Sequence, residues 1–136
     1  MTLPAFRMAH RSLASDKLED VLRLIRTPHV GPITFFQLMQ RYETAGEALR
    51  ALPELSRRGG SKKPLTPAPA SDIEKEIKKT GLFGARLIKY GEADYPALLC
   101  AVEDPPPAIA VLGNPEVYKK DMVGMVGPIT RASLNK

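Results

Sequence analysis

The first stretch of regular apolar spacing covers residues 18–25. Four aliphatic side chains recur there three or four positions apart, as on one face of an α-helix: Leu18, Val21, Leu22 and Ile25. Acidic side chains near its start favour the positive end of the helix dipole, so the helix is predicted to begin at Ser15 or Asp16. It should end at Thr27, because a residue that precedes proline avoids helical backbone angles.

Two further helices are predicted to follow. Pro32 has the backbone angle favoured at the first helical position. An apolar face comes after it: Phe35, Phe36, Leu38, Met39 and Tyr42. Thr44 and Glu47 have the spacing of a capping box, which predicts a third helix through Leu52, with Pro53 ending or bending it.

The pattern changes after residue 55. Residues 56–70 are rich in proline, glycine and basic side chains, which predicts a flexible linker. A fourth helix should start at Ser71, which forms another capping box with Glu74, and should end near Gly81. Three short β-prone segments bounded by glycine or proline follow: 85–90, 108–112 and 122–127.

Helices therefore come first, and strands with short helices come afterwards. This order predicts an α+β fold leaning to α/β. The predicted divisions are a flexible arm, a small helical domain, a basic linker and an α/β part: 1–15, 16–55, 56–70 and 71–136.

Charge and composition limit the kinds of partner and cofactor that the protein can be expected to bind. Twenty Lys and Arg oppose fifteen Asp and Glu, a net charge of +5 that suits a polyanion such as DNA, although a moderately basic protein without such a partner fits equally well. The single cysteine excludes an intramolecular disulfide, and no Cys/His cluster indicates a metal. Neither a membrane span nor a secretory signal is evident, so we expect a cytoplasmic location and no membrane partner.

The turn between the first two helices resembles a helix-hairpin-helix motif. In that motif the free amides of a helix start face a DNA phosphate, which here selects Gly31 and Thr34 as candidate DNA contacts. His29 stands where the motif normally has its first glycine, and Pro32 removes one amide donor. The alternative is a tight packing corner between two helices.

Two other segments supply candidate contacts. The linker carries four basic side chains, which either keep it soluble or make weak, salt-sensitive contacts with DNA: Arg57, Arg58, Lys62 and Lys63. The apolar segment ending at Gly127 resembles a strand that enters a glycine turn, a common place to bind phosphate, with Arg131 and Ser133 close behind it.

The order of these elements resembles the DprA/Smf family of DNA-processing proteins. The family has a Tyr-Pro followed by leucines, an Asp-x-Pro segment, a strand ending in Gly-Asn and a strand ending in Val-Gly. The corresponding segments here are Tyr95-Pro96 with Leu98-Leu99, Asp104-Pro105-Pro106-Pro107, Val111-Leu112-Gly113-Asn114 and Val126-Gly127. The hairpin-like segment upstream also occurs in its expected place.

The resemblance implies a helical, sterile-alpha-motif-like domain ahead of a Rossmann-like domain that binds single-stranded DNA. Such proteins protect incoming strands and help to load RecA in natural transformation, without catalysis, metal or cofactor. The alternatives are a nucleotide- or phosphate-binding Rossmann-type enzyme and a helical interaction module.

The end of the sequence departs from the family pattern. The family continues after Val-Gly with a small residue, Arg, two further residues and Ser, whereas here Arg131 and Ser133 are displaced and Pro128 intrudes. The pentapeptide Val-Gly-Pro-Ile-Thr also occurs twice, at 30–34 and 126–130. With the last residue at Lys136, we expect a fragment with an incomplete Rossmann-like domain, impaired DNA binding and no self-association.

Overall fold

The computed structural model describes residues 9–60, 65–121, 123–124 and 126–127. The described part is α+β, with helices first and a two-stranded sheet after them. In chain order the elements are α1 (Leu18–Arg26), α2 (Pro32–Arg41), α3 (Ala45–Arg58), α4 (Ala70–Leu82), β1 (Arg86–Lys89), α5 (Ala97–Cys100), β2 (Ala108–Val111) and a 3-10 helix (Pro115–Lys119). No helix in the described ranges is long and apolar enough to cross a membrane.

The first three helices pack around aliphatic side chains and two phenylalanines. Their most buried members come from all three helices: Val21, Leu24, Phe35, Phe36, Met39, Ala48, Leu49 and Leu52. The apolar spacing predicted Val21 on α1 and Phe35, Phe36 and Met39 on α2, but it did not include Leu24 or the buried side chains of α3. Burial of each large side chain contributes about 1.5–3 kcal/mol. Packing of amphipathic faces, more than helix propensity, therefore holds these short helices in place.

The third helix does not end at Leu52 as predicted. It continues through Pro53 to Arg58, where the Gly59 amide bonds to the Leu55 carbonyl at 3.0 Å. Proline removes one backbone hydrogen bond from a helix interior. Leu52, just before Pro53, is buried in the core, and Leu55, just after it, is half-buried, so apolar side chains are shielded from water on both sides of the proline. Residues 56–58 are thus helix and not linker.

The predicted flexible linker is also wrong for residues 65–69, here called the strap. Within the strap Ala68 is buried, and its amide donates to Thr27 Oγ1 at 3.1 Å. Its carbonyl accepts a hydrogen bond from Arg23 Nε at 2.9 Å. Prolines stiffen the backbone and have no amide that needs a partner. A proline-rich segment can therefore pack against α1 when the backbone groups of a single residue, here Ala68, are hydrogen-bonded there.

The two strands form an antiparallel pair. Arg86 lies opposite Val111 and Lys89 opposite Ala108. A Rossmann-like sheet begins with parallel strands joined by crossover helices, so such a start is not confirmed by this pair. The predicted strand at 122–127 is absent from its described residues, which are 123, 124, 126 and 127.

Part of the predicted flexible arm is packed into the molecule. Leu13 is fully buried, and its amide donates to the carbonyl of Tyr90 at 2.8 Å. His10 stacks on Phe36 with ring centroids 4.1 Å apart. Local sequence could not reveal this, because Tyr90 follows β1, far along the chain.

Residues before and after the predicted linker therefore share one hydrophobic core. Leu13 and Phe36 belong to the same buried cluster as Ile88 of β1 and as Tyr90 and Tyr95, which follow β1. The rings of Phe36 and Tyr90 lie 5.1 Å apart, and those of Tyr90 and Tyr95 lie 5.3 Å apart, both edge to face. The division into separate domains stays a prediction, although the described packing is continuous across it.

Candidate nucleic-acid interface

The hairpin that joins α1 to α2 is a tight turn anchored from inside. Thr27 is buried, and its amide bonds to the Leu24 carbonyl at 3.3 Å. The Val30 amide bonds in turn to the Thr27 carbonyl at 3.1 Å, and Val30 is only 5% exposed. The turn is thereby held against the core, with its outer residues facing solvent.

His29 has a left-handed backbone conformation. Its φ is +68°, and of the described residues it is the one non-glycine with a positive φ. Such an angle costs an ordinary side chain about 1–2 kcal/mol, which is why glycine usually occupies these positions. The chain therefore adopts, with a histidine, the backbone turn for which the helix-hairpin-helix motif normally uses glycine.

The start of α2 is open. Gly31 is the N-cap with φ −95°, no side chain caps the helix, and the first turn contains no acidic residue. An added Cβ at Gly31 would meet no atom within 4 Å. Pro32 offers no amide, so the amides of Ile33 and Thr34 lie at a helix start that itself provides no acceptor for them. Both side chains are exposed.

Arg57 and Arg58 lie in the last turn of α3. They face the carboxylate of Glu54 at 3.8 and 3.5 Å, and their side chains are about 70% exposed. Exposed ion pairs of this kind contribute little to stability, about 0–1 kcal/mol. The neighbouring acid nevertheless reduces the positive potential that these two arginines present.

The other predicted contacts are not brought to the hairpin. Lys62, Lys63, Arg131 and Ser133 lie outside the described residues. Gly127 is described and belongs to no helix or strand. Among the described residues, no hydrogen bond or ion pair links the hairpin to Arg57 or Arg58.

Asp16, which the sequence predicted only as an acid at the start of α1, also contacts the start of α3. Asp16 Oδ1 accepts the amide of Ala45 at 2.8 Å, and Asp16 Oδ2 pairs with Arg11 at 2.6 Å. The acid therefore caps α3 from another part of the chain. No local signal could have found this contact, since its partners are 29 residues apart.

Two other titratable groups, Asp94 and Cys100, have shifted pKa values with structural causes. Arg86 donates to Asp94 at 2.8 Å, and this hydrogen bond holds the pKa of that carboxyl below its usual range. Burial raises the pKa of the Cys100 thiol, which favours the protonated, unreactive form. In the described ranges no group of His, Cys, Asp and Glu could hold a metal ion.

Residues 15–78 match a family model described as the DprA-like N-terminal HHH domain. The domain that these residues form belongs to the DprA/Smf family. The match covers the first three helices, the hairpin, the strap and most of α4, while the strands lie outside it. No curated protein matches the chain. The DprA-type domain connects the hairpin with DNA processing, and it is the part of the molecule in which the open helix start lies.

Proposed function

We propose that this DprA/Smf-type chain binds single-stranded DNA and that the start of α2 contacts a backbone phosphate. The observation that carries the proposal is the uncapped helix start at Gly31, which lies inside the matched helix-hairpin-helix domain. A phosphate there would accept the amides of Ile33 and Thr34 and would lie at the positive end of the helix dipole.

The charges within α2 favour an anion at its start, although Glu103 and Asp104 line a pocket together with Pro32 and Ile33. The first turn of α2 has no acidic residue, and the whole chain carries a net charge of +5. The dipole of one helix contributes only about 0.3–1 kcal/mol to holding an anion. Measurable affinity therefore needs several phosphate contacts, and it should fall as salt rises because binding releases condensed counterions.

The basic side chains predicted from sequence would supply further weak contacts. Arg57 and Arg58 extend from the end of α3, and Lys62 and Lys63 follow them in the chain. We also include Gly127, Arg131 and Ser133, on the family resemblance alone. In this proposal DNA binding supports RecA-dependent recombination during natural transformation, without catalysis by this chain.

The test replaces Gly31 by aspartate or by serine. The backbone angle and the open space at Gly31 accommodate either side chain, and both are good helix caps, so the fold should be retained. Gly31→Asp places a carboxylate where the phosphate would lie. We expect its affinity for a fluorescent oligo-dT at low salt to fall about tenfold, equivalent to ~1.4 kcal/mol.

Gly31→Ser is the matched control. The serine hydroxyl accepts a hydrogen bond from the same amides without adding charge, so the loss of affinity should be smaller than for Gly31→Asp. Circular dichroism establishes that both variants are folded. Equal affinity of the wild-type chain and Gly31→Asp would exclude the hairpin as the contact, and no binding by the wild-type chain at low salt would refute the DNA-binding function itself.

A further inference from the structure

A second basic surface contains none of the predicted site residues. It is a groove of about 330 Å³ between α1, α3 and the strap. Its lining includes three basic residues, one acid, a glycine and a proline: Lys17, Arg23, Arg50, Asp20, Gly46 and Pro67. None of these residues was selected by sequence reasoning, because they come from three separate segments.

The groove exists because α1 and α3 approach closely near their starts. Gly46 has no side chain, and an added Cβ would lie 3.0 Å from Asp20 Oδ2. The amide of the preceding residue, Ala45, is held by Asp16 at 2.8 Å, which fixes the start of α3 beside the start of α1. Arg23 and Arg50 extend from the two helices into the lining of the same cavity.

Arg23 is positioned by the strap. Its Nε donates to the carbonyl of Ala68 at 2.9 Å. The amide of Ala68 is held in turn by Thr27 Oγ1 at 3.1 Å. This uses one donor of the guanidinium, and among the described residues its two terminal nitrogens have no hydrogen-bond partner. An arginine fixed at one donor loses less conformational entropy when the others bind an anion.

The three basic side chains of the groove have no acidic partner, unlike most other arginines in the described ranges. Within the described ranges Lys17, Arg23 and Arg50 form no ion pair, whereas Arg26 is paired with Glu76 and Arg86 with Asp94. Asp20 is the one acid in the lining, so positive charge is in excess. Carboxylates therefore neutralise the positive charge of the groove less than they neutralise the charge of Arg26 and Arg86.

We propose that this groove binds a phosphate group of a nucleic-acid strand, an inference that rests on the DNA-binding function proposed above. Guanidinium and ammonium donors converging on a small cavity suit a phosphate, since charge-assisted hydrogen bonds are about twice as strong as neutral ones. The lining contains no aromatic side chain on which a base could stack. Contact is therefore with the backbone and is independent of sequence.

A strand that contacted both the hairpin and the groove would be held at two phosphate sites. The test is a titration of the ¹⁵N-labelled full chain with oligo-dT and, separately, with inorganic phosphate. We expect oligo-dT to shift the amide signals of Lys17, Gly46 and Arg50 at lower concentration than inorganic phosphate does, because a strand contacts several sites at once.

Charge reversal at Arg50 is the second measurement. Arg50→Glu should weaken oligo-dT binding at least about threefold and should lower the salt slope by roughly 0.7, the value for one phosphate of a single strand. Arg41→Glu makes the same charge change on α2, outside the lining. Its effect should be clearly smaller. Lys17→Gln, which changes an exposed residue before α1, repeats the test with a milder substitution.

Each outcome decides between the two proposals. Shifts by oligo-dT confined to the hairpin, with Arg50→Glu no worse than Arg41→Glu, overturn the groove and leave DNA binding intact. Shifts of the groove by inorganic phosphate alone overturn the nucleic-acid assignment. The absence of any shift with oligo-dT overturns both the groove and the proposed function.

Discussion

The starts of α2 and α3 are built in opposite ways. At α3, Thr44 Oγ1 accepts the amide of Glu47 at 3.1 Å, and the buried Asp16 accepts that of Ala45 at 2.8 Å. At α2, Gly31 provides no side-chain cap, and no acidic residue lies in the first turn. The start of α3 has two of its amides bonded to side chains of the protein, whereas the start of α2 has none.

This difference separates a structural helix start from a candidate binding one. Unsatisfied amides at a helix start cost stability unless water or a ligand accepts them. The protein meets this need at α3 with two side chains, one of them from a distant segment. At α2 the same need is left to solvent, which is the condition under which an external phosphate can replace water.

The largest expected effect is the loss of the buried cap of α3. Asp16→Ala leaves the Ala45 amide and the Arg11 guanidinium without their partner. We expect a loss of about 2–3 kcal/mol in the free energy of unfolding, measured with urea at neutral pH. Asp16→Asn retains an acceptor oxygen and should lose less. A loss for Asp16→Ala no greater than that for Thr44→Ala would show that Asp16 is not the main cap.

A smaller effect is expected at the local cap. Thr44→Ala should cost about 1 kcal/mol, the typical value for an N-cap hydroxyl. Gly31→Ala introduces the same residue at the N-cap of α2, where no side-chain bond is lost, and should change stability by less than about 0.5 kcal/mol. Equal losses for the two variants would contradict the difference between the helix starts.

The smallest effect concerns the turn before α2. His29→Gly removes the strain of a left-handed histidine, about 1–2 kcal/mol, but adds the backbone entropy of glycine, about 0.5–1 kcal/mol. We expect a net stabilisation of about 0.5 kcal/mol, seen as a small rise in Tm. His29→Ala, the control, keeps the strained angle and should give no rise. A lower Tm for His29→Gly would mean that the histidine ring itself stabilises the turn.

Local sequence patterns (apolar spacing, helix-start signals and short β-prone runs) were sufficient to predict most of the elements. The helices at 18–26, 32–41 and 70–82 and the strands at 86–89 and 108–111 were all predicted within a few residues of their observed bounds. The predictions that depended on composition were less reliable. A proline at 53 and a proline-rich stretch at 65–69 indicated a break and a free linker, yet tertiary contacts hold both segments in the fold.

The candidate site was predictable only in part, for the same reason. Gly31 and Thr34 could be found because a hairpin motif is contiguous in sequence. The cap from Asp16 to Ala45 and the convergence of Arg23 with Arg50 depend on how α1 lies against α3. No pattern along the chain records that arrangement. The contribution of residues 61–64 and 128–136 lies outside the described residues.

The segment before α1 packs against residues at the end of β1, and this has a consequence for folding during synthesis on the ribosome. Lys89 Nζ donates to the carbonyl of Ala14 at 3.0 Å, a contact between residues 75 positions apart. At about 5–20 residues per second, the ribosome needs roughly 4–15 seconds to make the intervening chain. During that interval Leu13 has no access to Tyr90, its partner in the finished fold. In the nascent chain Leu13 therefore lacks its bond to Tyr90 until the residue after β1 emerges, and until then it can pack only against the helices.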